Sequence, residues 1–305
     1  MLRFTAARIA QSIITLLILS IVVFFGSELT GDLALSLATA DTTEAELEEI
    51  RRKFGLDRPA YERYGRYIFN LVQGDLGVSG TSRRQVSDMM VERIPPTLQL
   101  AAVGLFLAML LGIPLGVLAA VKRNTILDQL AKLFAIVGMS APQFWVAIML
   151  IMFFGAQLKW LPTYGRGGID HYILPGIAIS LFVMAGFMRL TRSSMLEVLD
   201  SEFVKFARIK GLQERLVIFK HALKNAIIPV LTFGGVSFAG LLNGAIVVEV
   251  VFAWPGLGRL MLDAIRERDT VVIMATILTS GFIYVFLSTV VDILYAYVDP
   301  RIRYQ

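Results

Sequence analysis

The chain has 305 residues, 56% of them hydrophobic and 17% charged, with no cysteine and a formal net charge of +5. The charged share lies below the roughly 25% of a soluble domain, and the mean hydropathy is +0.68. These values exclude a water-soluble globule and disfavour a disordered chain, and the missing cysteine excludes disulfides, thiolate metal sites and thiol nucleophiles.

A helix crossing the hydrocarbon core needs about 20 mostly apolar residues. Six charge-free stretches of that kind follow one another: Ile9–Ser27, Ile94–Val121, Leu133–Leu158, Tyr172–Met188, Asn225–Val248 and Thr270–Val291. They are too long for the strands of a membrane barrel and lack the alternation of such strands. The expected fold class is therefore all-α, a polytopic membrane protein with six transmembrane helices. Arg3 and Arg8 precede the first stretch, but Phe25-Gly-Ser-Glu-Leu-Thr30 offers no small-x-small cleavage site, so a retained helix is expected over residues 1–28. The fourth stretch is the shortest and is expected to extend into Arg189–Thr191, with the arginine snorkelling to the interface.

Residues 29–93 are the one segment between spans long enough for an external domain. Thr42 or Thr43 is a plausible N-cap for a helix with Glu44, Glu46, Glu48 and Glu49 early and Arg51, Arg52 and Lys53 late, a charge order that suits the helix dipole. Gly55 should end it, and a second helix is expected near Pro59–Leu71 with Pro59 close to its first turn. Gly74, Gly77 and Gly80 mark a turn-rich stretch. Such charge runs read as solvated helix faces.

Residues 94–305 form the transmembrane core. Gly112, Pro114 and Gly116 lie in the second span, Gly138 and Pro142 in the third, and Gly234, Gly235, Gly240 and Gly244 in the fifth, where they allow close helix approach and kinks. The density in the fifth span also suits a bundle that rearranges around a pathway. Glu249 and Asp292 are the acids nearest the membrane interior, each at an interface or paired within the bundle.

Lysine and arginine set the orientation. Arg3 and Arg8, then Lys122, Arg123 and Lys132, then the loop after the fourth span, then Arg301 and Arg303 all fall on one side of a six-span topology, the cytoplasm. The positive charge is thus an orientation signal, and no nucleic-acid partner is implied.

The cytoplasmic loop at 192–224, continuing to Pro229, reads as two short helices separated by Gly211. The first, near Ser201–Lys210, is expected to place Phe203, Phe206 and Ala207 on one face and Lys205 and Arg208 on another. The second has Leu216, Phe219, Leu223 and Ala226 or Ile227 at helical spacing, with Lys220 and Lys224 opposite. An amphipathic helix of this kind lies in lipid headgroups or docks in a partner's groove, and periodicity leaves both open.

The residues themselves resemble the EAA loop of ABC-importer permeases, whose core is an alanine, a glycine four residues on, and a later Ile-x-x-Pro or Leu-Pro. Ala207, Gly211 and Ile227-Ile228-Pro229 match, while Lys205-Phe206 replaces the leading Glu-Ala. Phe203, Ala207, Arg208, Lys210 and Gly211 follow the version common in the peptide branch. Val248-Glu-Val-Val-Phe-Ala-Trp-Pro-Gly-Leu-Gly258 is similar to a signature of dipeptide and oligopeptide permeases. So is the Asp299-Pro-Arg-Ile-Arg303 ending, and Val72-Gln-Gly-Asp-Leu-Gly77 with Ser82-Arg-Arg84 fits the external domain of their first permease subunit. Thr30-Gly-Asp-Leu33 departs from the usual Pro-Gly-Asp-Pro.

The resemblance implies a type I ABC-importer permease in the bacterial inner membrane, forming half of a pathway with a second homologous permease. It implies two cytoplasmic ATPases that bind ATP and Mg, so that this chain needs no cofactor of its own, and a periplasmic or lipid-anchored binding protein that delivers a peptide-like substrate. Dipeptides, oligopeptides, glutathione and nickel complexes are the substrates of such relatives. The residues expected to contact the ATPase are Phe203, Phe206, Ala207, Arg208, Lys210 and Gly211, with Pro229 closing the motif. Glu249, Trp254, Pro255, Gly256 and Gly258 are expected to form an external turn with an aromatic anchor at the interface, or a gate.

No Gly-x-x-x-x-Gly-Lys-Ser/Thr run cradles a phosphate here. His171 and His221 make no metal motif, and no catalytic set is visible, so no enzymatic activity is expected of this chain. A self-sufficient secondary carrier would require a midplane site with buried ions, which the sequence does not display.

Overall fold

The computed structural model describes residues 2–30, 43–54 and 57–298. The described chain is helical, with one isolated antiparallel bridge between Val78 and Gln85. The helices are α1 (Leu2–Thr30), α2 (Glu44–Phe54), α3 (Ala60–Val72), α4 (Val86–Val121), α5 (Ile126–Ser140), α6 (Gln143–Gln157), α7 (Asp170–Leu199), α8 (Glu202–Ile209), α9 (Glu214–Val251), α10 (Leu257–Arg266) and α11 (Thr270–Val298). Two compact units result: Met1–Thr97 with Pro255–Gln305, and Leu98–Trp254.

Among the described residues, five helices are long and apolar enough to cross a membrane. α5 with α6, bent by 106° at the break between them, pass the same test as a pair and bring the number of spans to as many as six. The break falls at Ala141-Pro142, where Pro142 takes an extended conformation (ψ 132°). A proline disfavours helix in the residue before it and cannot donate to the preceding turn. Pro142, expected to allow a local kink in the third span, instead breaks it into two helices. The fourth span, short by composition, is the outer part of a 30-residue helix. Its charged inner half escapes a hydropathy count.

In the first unit, α1 packs along α11, and α3 lies against the far end of α1. Ser12 Oγ and Thr289 Oγ1 are hydrogen-bonded at 2.6 Å, and Arg8 pairs with Asp292 at 3.3 Å. Asp292 is therefore a bundle-paired acid, as membrane-embedded carboxylates usually are. Thr43 and Glu46 cap α2 reciprocally: Thr43 N–H donates to Glu46 Oε2 at 2.8 Å and Glu46 N–H to Thr43 Oγ1 at 3.4 Å. The expected stop at Gly55, the alternative cap Thr42, most of the Thr30–Leu33 turn and the Asp299–Arg303 ending lie outside the described residues. Val86, Met90, Leu257, Leu260 and Val272 bury the base of α4 against α10 and α11.

In the second unit, α4, α5, α6 and α9 surround α7, which carries the longest run of buried residues. α4 and α7 approach closely at two glycines. A Cβ at Gly112 would stand 2.7 Å from the Met184 carbonyl oxygen, and one at Gly116 would stand 2.6 Å from that of Met188. These two glycines are required by backbone contact. In the glycine-dense fifth span the neighbours are side-chain ends: a Cβ would stand 3.2 Å from the Phe187 ring at Gly234 and 3.0 Å from the Gln143 amide at Gly244, and would meet nothing at Gly240.

Candidate coupling site

The connection expected over 192–224 is largely helix. α7 continues to Leu199, and α9 starts at Glu214 and runs on as the fifth span. The non-spanning element between them is α8, with Ser201 as N-cap residue. The second short helix predicted after Gly211 is thus the first turns of a 38-residue helix.

α8 ends in a Schellman motif. Gly211 N–H donates to Arg208 O at 2.9 Å, Leu212 N–H donates to Ala207 O at 3.4 Å, and Gly211 has φ +75°. That left-handed conformation suits glycine. The reversed chain brings Arg208 onto Glu214 through two bonds, Nε–Oε2 at 3.2 Å and Nη2–Oε1 at 2.7 Å. The Arg208 guanidinium is held above its ordinary range chiefly by that hydrogen bond. Lys205 is likewise raised by its 2.8 Å bond to Glu202.

The two faces of α8 differ from the sequence expectation. Val204 is fully buried and Ala207 nearly so, packed among Val117, Ala120, Met195, Val217 and Ala222 of α4, α7 and α9. Phe203, Phe206 and Ile209 are 46, 61 and 78% exposed. The phenylalanines therefore do not share the alanine's role. Ala207 anchors the helix to the bundle, and the aromatic rings project from it. Arg208, Lys210 and Gly211 flank that exposed ridge.

In α9 the predicted stripe is met in its second half and displaced in its first. Ala226 is buried and Leu223 packs beside it, whereas Leu216 and Phe219 are exposed and Val217, Ile218 and Ala222 are buried in their place. Val217–Ala222 form a π-helical segment. Its wider turn rotates the following residues relative to an α-helical count. Pro229 stands inside α9, seven residues beyond.

An ionic cluster that the sequence did not disclose supports this end of the unit. Asp128, fully buried at the start of α5, accepts Arg192 Nε at 2.6 Å, Arg192 Nη2 at 3.0 Å, Lys132 Nζ at 2.9 Å and Asn124 N–H at 3.1 Å. Arg123 reaches Asp200, the C-cap of α7, at 3.6 Å. The link between α4 and α5 thereby grips the stem of α7 just before α8.

The turn after α9 is a second Schellman motif. Trp254 N–H donates to Glu249 O at 2.8 Å and Ala253 N–H to Val250 O at 3.3 Å, with Ala253 at φ +51°. Glu249 and Trp254 are fully buried in the second unit, and the indole meets Tyr172 edge to face at 4.7 Å. Trp254 is therefore a core residue, where an interfacial anchor was expected. In the first unit, Gly256 is the N-cap of α10 and Leu257 N–H donates to Thr97 Oγ1 at 2.9 Å. Pro255 precedes this cap and Gly258 is buried in the first turn of α10.

Residues 112–304 match the family described as binding-protein-dependent transport system inner membrane component, and residues 1–101 match the N-terminal region of such membrane components. The chain belongs to this family. It is a permease subunit of a binding-protein-dependent ABC importer, an inner-membrane protein, and the transport family to which it belongs is not a catalytic one. The permease is 43% identical over 306 residues to the glutathione transport system permease protein GsiC of Escherichia coli O6:H1, with the whole of both chains covered. It is 42% identical over the same length to the GsiC of Shigella dysenteriae serotype 1. Among solved structures, an amino acid ABC transporter with histidines matches with TM-score 0.53 at 17% identity, covering 70% of this chain and 94% of its own. An inward-facing MetNI methionine ABC transporter matches with TM-score 0.54 at 21% identity, covering 69% and 96%. These neighbours establish the type I importer fold of the permease core.

Proposed function

We propose that this permease imports glutathione or other short peptides as one of two homologous membrane subunits, and that α8 receives the motion of a cytoplasmic ATPase. Full-length similarity to two glutathione permeases supports the substrate class. The observation that carries the coupling role is the division of α8: Val204 and Ala207 are locked into the bundle, while Phe203, Phe206 and Ile209 stand in solvent. A helix fixed on one side and apolar on the other transmits a push without deforming, and exposed aromatic residues are the preferred anchors of an interface. ATP and Mg belong to two such ATPases in this reading, and a substrate-binding protein delivers the peptide outside. Glu249 and Trp254 then hold the end of α9 in place and do not touch substrate.

The absence of cysteine makes the test direct. Phe206→Cys introduces a unique thiol, and a bifunctional cross-linker should join it to a co-expressed ATPase in membranes, with a yield that changes on adding ATP. Equal cross-linking from Phe206→Cys and from a cysteine placed at the lipid-facing Ile14 would refute the assignment.

A further inference from the structure

The first unit contains a cavity of about 220 Å³ that plays no part in coupling. Two membrane-spanning helices build it at the end remote from Arg3 and Arg8, which the charge rule places outside. Phe24 and Glu28 come from the last turns of α1, and Val271, Met274 and Ala275 come from the first turns of α11. α3 and the following turn close it with Arg63, Arg66, Asn70 and Asp75. At about 30 Å³ per molecule the space equals roughly seven waters, the size of a small polar head group.

Its chemistry is divided. The membrane side is apolar, and the rim carries both signs of charge. Arg63 pairs with Glu28 through both terminal nitrogens, Nη1–Oε1 at 2.7 Å and Nη2–Oε2 closer still. Arg63 Nε is buried without a hydrogen-bond partner. A guanidinium has donors on three nitrogens, and a buried donor without an acceptor is unfavourable. An oxyanion in the cavity would supply one. Arg66 and Asp75 are exposed beside it, and Asp75 holds its own turn through Oδ1, which accepts Gly77 N–H at 2.9 Å.

We propose that this cavity binds a phosphoethanolamine group, its phosphate on Arg63 Nε and Arg66 and its ammonium on Asp75. The apolar walls from α1 and α11 lie where the glycerol and first methylenes of an outer-leaflet phospholipid would run, so the lipid is the source the site favours over a soluble ester. A bound lipid would tie α3 to both membrane helices.

The test uses the whole transporter complex purified in mild detergent, with retained lipid read by native mass spectrometry and the melting temperature read on titration. Phosphatidylethanolamine should be retained and should raise the melting temperature. Phosphatidylcholine, whose quaternary amine has no N–H, should do so at about tenfold higher concentration. Arg63→Lys removes the Nε donor, and Arg66→Ala removes a rim charge. Each should weaken phosphatidylethanolamine about tenfold, as expected for one charged hydrogen bond. Leu76→Trp, which fills the cavity and keeps every charge, should abolish retention, and it keeps the test open if Arg63→Lys fails to fold. Glycerophosphoethanolamine should bind far more weakly than the lipid. Equal binding would keep the site and assign it to a soluble ester. Unchanged phosphatidylethanolamine retention in Arg66→Ala and Leu76→Trp, or equal response to the two lipids, would overturn the proposal.

Discussion

Arg192 meets Asp128 through two parallel bonds, Nε–Oδ1 at 2.6 Å and Nη2–Oδ2 at 3.0 Å, although 64 residues separate them. The carboxylate is fully buried, and Lys132 shares it. Planar two-point contacts fix orientation as well as distance. The stem of α7 is therefore oriented by the link between α4 and α5, and α8 follows that stem after one turn of chain.

Asp128 is buried but Arg192 is 22% and Lys132 47% exposed, so removing the carboxylate leaves partly solvated cations without their partner, at a cost of about 1–3 kcal/mol. Asp128→Ala should thus lower the melting temperature of the purified complex. The double replacement Asp128→Leu with Arg192→Met should recover much of the loss, because both charges are gone. A double variant at least as unstable as Asp128→Ala would show that packing, and not the ion pair, matters there.

On α8 the two apolar sides predict opposite outcomes. Phe206→Asp changes an exposed side chain, so stability should stay within about 0.5 kcal/mol while ATP-driven uptake is lost. Val204→Asp or Ala207→Asp places a charge in a packed cluster. Those variants should lose stability together with uptake. Membrane yield and melting temperature, measured beside uptake in vesicles, separate the two cases. Normal uptake by Phe206→Asp would remove the ridge from the coupling mechanism.

The contrast shows where the sequence was legible. Gly211 could be placed because a left-handed turn after a short helix demands it, and Thr43 with Glu46 could be placed because their bonds span only three residues. The membrane spans were legible from length and hydropathy, and the family from short motifs. Which apolar side of α8 docks was not, since both sides are apolar and periodicity does not say where the bundle stands. The π-helical turn at Val217–Ala222 breaks the count on which the next stripe was read. Hydropathy is blind to direction, so it missed the 106° break at Pro142. Asp128 and Lys132 stand four residues apart on one helix, but spacing does not reveal the two-point partner Arg192, which lies on another helix.

Two glycines should respond differently to alanine. At Gly211 a Cβ would meet nothing within 4 Å, so the cost is the left-handed backbone alone, about 1 kcal/mol, and Gly211→Asn should be milder. At Gly112 the Cβ would press on the Met184 carbonyl and on Phe187 Cβ at 2.8 Å. Gly112→Ala should cost about 1–3 kcal/mol through overpacking. Comparable melting temperatures for Gly112→Ala and wild type would mean that α4 and α7 separate at little cost.

The cap of α2 should depend on pH. Backbone and side-chain hydrogen bonds from Thr43 hold the Glu46 carboxyl below the usual glutamate range. A carboxyl depressed in the folded state stabilises it above its unfolded pKa, and the contribution is lost as pH falls through the folded value. The protection factors of the first-turn amides of α2, that is, exchange corrected for its intrinsic pH dependence, should therefore fall on acidification. Glu46→Gln keeps an acceptor without the titration and should flatten that response. An equally steep pH response in Glu46→Gln would assign it to another group.

Ala253 offers the converse case, a site where stability should rise. It occupies the left-handed position of the Schellman motif at φ +51°, where glycine is the usual residue. A Cβ in that conformation costs about 1 kcal/mol, partly offset by the greater freedom of glycine in the unfolded chain. Ala253→Gly should accordingly raise the melting temperature slightly and leave the Trp254–Tyr172 contact in place. Indole fluorescence reports on the second point, and a red-shifted spectrum in Ala253→Gly would show that the alanine methyl also helps to hold Trp254 in its buried position.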